Sequence, residues 1–126
     1  MGDYLREYDR VVEVGVGRRT DLAAALYQRG IAVTATDVHD REVPDGVRFV
    51  RDDVVDPDRT VYEGADAIYA RNLPPELHRP ALEIARTVDA DLLFTTLGGD
   101  QPAIPVDRES IETGTLYVAR STSAQK

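Results

Sequence analysis

Apolar residues recur along this chain in short runs separated by polar turns. "VVEVGVG" (residues 11–17) is a run of β-branched residues ending on two glycines, the make-up of a buried strand entering a turn. Behind it Leu22, Ala25 and Leu26 fall at helical spacing, with Thr20 or Asp21 able to cap the helix and Gly30 to close it. "IAVTATD" predicts a second strand ending at Asp37, and "VRFVRDDV" a third ending at Asp52–Asp53, with the polar turn "HDREVPDG" between them. "DPDRTVYEG" has room for one helical turn before a fourth strand, "ADAIYAR". In "NLPPELHRPALEIARTV" an apolar stripe of Leu77, Ala81, Ile84, Ala85 and Val88 predicts a helix, and Pro80 fits if it falls in the first turn. "ADLLFTTLGG" reads as a fifth strand and "TLYVAR" as a sixth, after a loop holding Pro102 and Pro105. Residues 3–9 predict a short helical lead-in with Tyr4, Leu5 and Tyr8 on one face, and "STSAQK" a frayed tail.

Strands alternating with helices and polar loops predict an α/β fold. The expected architecture is one three-layer Rossmann-like domain over residues 1–120, its mostly parallel sheet of about six strands covered by helices on both faces. The chain is expected to stop before an additional antiparallel strand. Several strands end in Gly, Asp or Asn, and open α/β sheets bind ligands at the carboxyl ends of strands, where strand order reverses.

Composition narrows the setting. With 126 residues there is length for one core but none for a separate substrate lobe, which a homodimer or a protein partner would have to supply. There is no cysteine, hence no thiolate nucleophile or disulfide. No apolar run approaches a membrane span, and the charged start "MGDYLREYDR" lacks a signal-peptide core, so the expected location is the cytoplasm. Acidic residues outnumber basic ones 23 to 15, with a net charge of −8, and the only lysine is Lys126. That balance disfavours non-specific attraction to nucleic acid. An acidic, arginine-rich surface suits a salt-rich cytoplasm, as in a halophilic archaeon, although GC-rich codon usage also exchanges Lys for Arg.

The glycine turn holds the first candidate chemistry. Gly15 and Gly17 let a ligand approach the main chain, with the positive end of a helix behind them. In the dinucleotide pattern G-x-G-x-x-G the third glycine would be Thr20. In the pattern acidic-x-G-x-G-x-G, Glu13, Gly15 and Gly17 match and Arg19 stands in the last place. Asp37, 20 residues beyond Gly17, can accept both ribose hydroxyls of an adenosine ligand, or be a solvated strand-end acid. Arg18 and Arg19 can hold a carboxylate or a pyrophosphate, or pair with Asp21. Asp52–Asp53 has no partners nearby in sequence to make a metal site.

Glu13, Gly15, Gly17, Asp37 and Asp53 together resemble class I S-adenosylmethionine-dependent methyltransferases over residues 10–100. With "IYARNLPPEL" added, the chain as a whole resembles a family of short archaeal Rossmann-like proteins, a likeness that implies a fold but no reaction. The methyltransferase resemblance implies a pocket for S-adenosylmethionine or S-adenosylhomocysteine lined by Gly15, Gly17, Asp37 and Asp53, with Asp53 at the adenine amino group, and Glu13 and Arg19 of the turn join them as candidate cofactor-binding residues. Amino-methylating enzymes carry [D/N/S]-P-P-[aromatic] after the fourth strand. Here Asn72-Leu73-Pro74-Pro75-Glu76 departs from it at two points, and Pro-Pro is also a common helix start. Asn72 and Glu76 are the catalytic candidates, with His78 a weaker third; both His39 and His78 read as surface residues. The alternative is a non-enzymatic sensor or scaffold that binds NAD or another adenosine ligand. A dehydrogenase would need a partner subunit to complete it.

Overall fold

The computed structural model describes residues 1–121; residues 122–126 of the expected tail lie outside the described residues. The elements in chain order are α1 (Gly2–Leu5), β1 (Arg10–Glu13), α2 (Asp21–Gln28), β2 (Ala32–Asp37), β3 (Arg48–Arg51), β4 (Ala67–Ala70), α3 (His78–Val88), β5 (Asp91–Phe94), β6 (Asp107–Ile111) and β7 (Gly114–Ala119). Single turns at Arg59–Val61 and Pro75–Leu77 precede β4 and α3. Pro80 is the third residue of α3, inside the first turn, where its missing N–H breaks no helical bond.

One sheet runs in the order β3-β2-β1-β4-β5-β7-β6. The first five strands are parallel, and β7 is antiparallel to both β5 and β6. The sheet has seven strands where about six were expected, and one expectation is corrected: the additional antiparallel strand is present, formed by "TLYVAR". The strand that the pattern missed is β6, "DRESI". It lies at the sheet edge, so most of its side chains face water and leave no apolar run to read. Its charges also discourage another chain from adding to that edge. Ile111 pairs with Gly114, so only Glu112 and Thr113 separate the two strands.

Neighbouring strand residues feed opposite faces, because side chains alternate along a strand. Val11, Tyr69 and Leu93 join Leu5, Ala23 and Leu26 from α1 and α2. Val12, Ile68, Leu92 and Phe94 pack with Ala81, Ile84 and Ala85 of α3. These are the three expected layers, and they hold the carboxyl ends of β1 to β5 along one rim. Among the described residues no helix is long and apolar enough to cross a membrane.

Candidate functional site

Strand order reverses between β1 and β4, with β2 and β3 on one side and β5, β7 and β6 on the other. The glycine turn leaves β1 at this point. Gly15 and Gly17 have φ of 68° and 58°, a region closed to most side chains. A Cβ on either glycine would meet nothing within 4 Å, so the outer side of the turn is open.

Asp37 ends β2 and fastens that turn. Its Oδ2 accepts the Gly17 N–H at 2.9 Å, and its Oδ1 accepts the His39 N–H at 3.0 Å. Arg41 Nε lies 3.4 Å from Oδ2. Burial alone would raise the Asp37 carboxyl, but the hydrogen bonds from His39 and Gly17 and the charge of Arg41 outweigh it and hold the group below its ordinary range. Asp37 is thus an ionised acceptor, and a carboxylate has about four acceptor positions, so sites beyond these remain.

The expected third strand ends at Arg51, and the two acids just past it, Asp52 and Asp53, separate cleanly. Asp52 is structural: it accepts the Tyr62 hydroxyl at 2.6 Å and the Asp58 N–H at 2.9 Å. Asp53 is exposed and bonds only its own turn, at the Val55 N–H. Val38 and Val55, which follow these strand ends, are exposed apolar side chains at 48% and 65%. Among the described residues no cluster of His, Asp and Glu is placed to hold a metal ion.

Glu13 does not open onto the turn's surface. It is buried at 1% exposure, accepts the Tyr69 hydroxyl at 2.8 Å and lies 3.7 Å from Arg71. Burial pushes its carboxyl up to about 7, with the Tyr69 hydrogen bond and Arg71 opposing the rise. The same proximity keeps the Tyr69 phenol protonated, since burial and the Glu13 charge both push it up. Arg71, just past β4, joins the parts: it bonds Asp21 at 3.2 Å and the Arg19 carbonyl at 2.7 Å. Sequence reasoning missed Arg71. The available signal was a basic residue at the end of an otherwise apolar buried strand.

A cavity of about 440 Å³ lies beside this junction, over the ends of β4 and β5 and the β6–β7 hairpin. Arg19, Arg71, Asn72, Thr95 and Thr96 are among its lining. Asn72 sits in the left-handed region with φ 55°, which asparagine tolerates. Its N–H donates to Thr95 Oγ1 at 2.9 Å, which fixes the loop to β5. Glu76 is exposed in the turn before α3 and is not part of the lining. His78 corrects an expectation. It is fully buried rather than on the surface, its ring 4.5 Å from that of Phe94. The Ala103 N–H donates to Nδ1 at 3.0 Å, so Nε2 carries the proton that is given to the Leu73 carbonyl at 2.9 Å. With both nitrogens engaged, this imidazole is a packing residue and leaves the list of catalytic candidates.

The model of the uncharacterised protein family UPF0146 matches residues 4–122. A UPF0146 protein of Halobacterium salinarum is 55% identical over 117 residues, covering 92% of this chain and 91% of the relative. Its source agrees with a halophilic reading of the surface charge. A TehB-like SAM-dependent methyltransferase from Corynebacterium glutamicum has a TM-score of 0.63 at 14% identity, over 90% of this chain and 80% of that one. An RNA methyltransferase from Salinibacter ruber in complex with S-adenosyl-L-homocysteine has a TM-score of 0.61 at 16% identity, over 87% and 78%. What is shared at such identities is the methyltransferase-like Rossmann fold.

Proposed function

The chain belongs to the uncharacterised protein family UPF0146, and from that premise we propose that it binds S-adenosylmethionine or S-adenosylhomocysteine as a small methyltransferase-like domain. The observation that carries this reading is the bond from the Gly17 N–H to Asp37: it makes the glycine turn and the strand-end carboxylate one preformed unit at the point of strand reversal. Bound there, S-adenosylmethionine supplies an activated methyl group; the protein contributes position and exclusion of water.

The chain's own residues fit such a ligand. The open outer face of Gly15 and Gly17 admits it beside the start of α2, and Asp37 keeps acceptor capacity for ribose hydroxyls. Asp53 is the exposed carboxylate of its pair, engaged among the described residues only by the Val55 N–H, and the exposed Val38 and Val55 offer apolar surface to a base. Glu13 acts from beneath, through Tyr69 and Arg71, and Arg19 faces the cavity. Asn72 is the candidate to orient a methyl acceptor. Glu76 has the weaker claim, since it lies outside the lining.

One observation favours the second reading, a sensor or scaffold that holds an adenosine ligand without turnover. Among the described residues, no carboxylate or histidine lines the cavity to serve as a general base. Calorimetric titration in molar salt with S-adenosylmethionine, S-adenosylhomocysteine and NAD(H) tests both readings, because ligand binding must stabilise the native state. Binding of the S-adenosyl compounds in preference to NAD(H) supports the proposal. Their failure to bind at millimolar concentration, with the chain folded, overturns it, and an NAD(H) response alone moves the site to the sensor reading.

A further inference from the structure

The cavity over β4, β5 and the hairpin has the wrong charge for its protein. The chain carries 23 acidic against 15 basic residues, yet among the described residues the lining holds two arginines and no carboxylate. We propose that this cavity is an acceptor site for a small anion, a phosphate or carboxylate compound, gripped by Arg19 and Arg71 beside Asn72. The role as acceptor rests on the donor reading above; the anion preference rests on the cavity itself.

The geometry separates the two ligands. The turn, Asp37 and Asp53 lie at the ends of β1, β2 and β3, whereas the cavity lies across β4, β5 and the hairpin, and Arg71 stands between them. Arg71 is preset: Asp21 and the Arg19 carbonyl fix its guanidinium, and its Nε–H makes no hydrogen bond among the described residues. Arg19 is exposed and makes no ion pair within 4 Å among the described residues; its charge lowers the Asp21 and Glu13 carboxyls from a distance, which leaves its guanidinium without a direct partner for bidentate recognition of an oxyanion. The acids that balance Arg71 are Glu13, buried below it, and Asp21 at the start of α2, and neither reaches the lining. Thr95 adds a hydroxyl donor, because its oxygen already accepts the Asn72 N–H and its proton is left to point elsewhere. The volume of about 440 Å³ falls within the roughly 300–1,000 Å³ of small-molecule sites. A net charge of −8 disfavours non-specific attraction of a polyanion such as nucleic acid, and the cavity's volume suits a small compound.

The test uses the full chain in potassium chloride at fixed molar concentration. Inorganic phosphate, malonate and, as a cationic control, tetramethylammonium are titrated calorimetrically, each with and without saturating S-adenosylhomocysteine. Two exposed positions are substituted, Arg19→Gln and Thr113→Asp, the second placing a carboxylate in the lining from the hairpin. The expected result is that phosphate or malonate binds and tetramethylammonium does not. Each variant should weaken anion binding about tenfold or more, as loss of a charge-assisted pair does. Thr113→Asp should leave S-adenosylhomocysteine binding unchanged, and the preferred anion names the acceptor's headgroup. No anion binding, or equal binding by the variants, overturns the proposal while leaving the donor reading intact. Competition between the anion and S-adenosylhomocysteine also overturns it, since the arginines would then hold the donor's own carboxylate. Anion binding without any S-adenosylhomocysteine binding removes the donor reading and the acceptor role together.

Discussion

Asp37 joins two strand ends through a single carboxylate, and its replacement separates fold from ligand. In Asp37→Ala the N–H groups of Gly17 and His39 lose their acceptor, which costs about 1–3 kcal/mol of stability. Adenosine-ligand affinity should fall by more than about tenfold, read by calorimetry on the folded variant. Unchanged affinity would remove Asp37 from the site. Glu13 makes a different forecast. Its carboxyl titrates near 7 in the folded chain, against an ordinary 4.5, so the folded state binds that proton more tightly than the unfolded one. Stability from this group is complete below about 4.5 and falls as pH rises toward 7. Glu13→Gln has no proton to lose and still accepts the Tyr69 hydroxyl. Its stability relative to the parent should therefore grow across that window, approaching about 3 kcal/mol in denaturant unfolding at neutral pH. A constant difference from pH 4.5 to 7 would show that Glu13 ionises normally.

At the level of elements, the pieces that hold the site are sewn together by loops. His78 opens α3, yet its ring ties the carbonyl of Leu73 to the N–H of Ala103, joining the β4–α3 connection to the loop before β6. His78→Ala should cost about 3 kcal/mol, from a buried cavity and two stranded polar groups, and should unfold in a single step earlier in denaturant. A loss below about 1 kcal/mol would mean the loops hold themselves. The parallel elements were legible because buried strands such as "VVEVGVG" and amphipathic α3 carry their period in the sequence. β6 was not: an edge strand keeps its order in backbone bonds, which leave no hydrophobic trace. The site divided the same way. Gly15, Gly17 and Asp37 show themselves by spacing, because turn geometry fixes how far apart they fall. Arg71, Thr95 and the burial of His78 arise from contacts between segments distant in sequence, and no local pattern encodes those.

For the molecule as a whole, the sheet sets a division of labour. Its order places one half-rim over β1, β2 and β3, where the glycine turn and Asp37 lie, and the other over β4, β5 and the hairpin, where the cavity lies. The surface around them carries a net charge of −8, and mutual repulsion opposes compaction when salt is scarce. The unfolding midpoint should rise steadily from roughly 0.1 M to molar potassium chloride as the screening length shrinks from about 10 Å to 3 Å, a scan that calorimetry can follow. A midpoint independent of salt would argue that the acids are neutralised by their own neighbours.

Met1 and Ser121, the first and last described residues, are also unequally placed. Asp91, at the start of β5, accepts the Ser121 N–H at 2.6 Å and the Tyr8 hydroxyl at 2.7 Å, on the side of the sheet away from the rim. Met1, by contrast, stands in the wall of the cavity. An affinity handle or fluorescent label fused ahead of Met1 would therefore stand at the mouth of the cavity it is meant to report on, and would change the anion titration for reasons unrelated to Arg19 or Arg71.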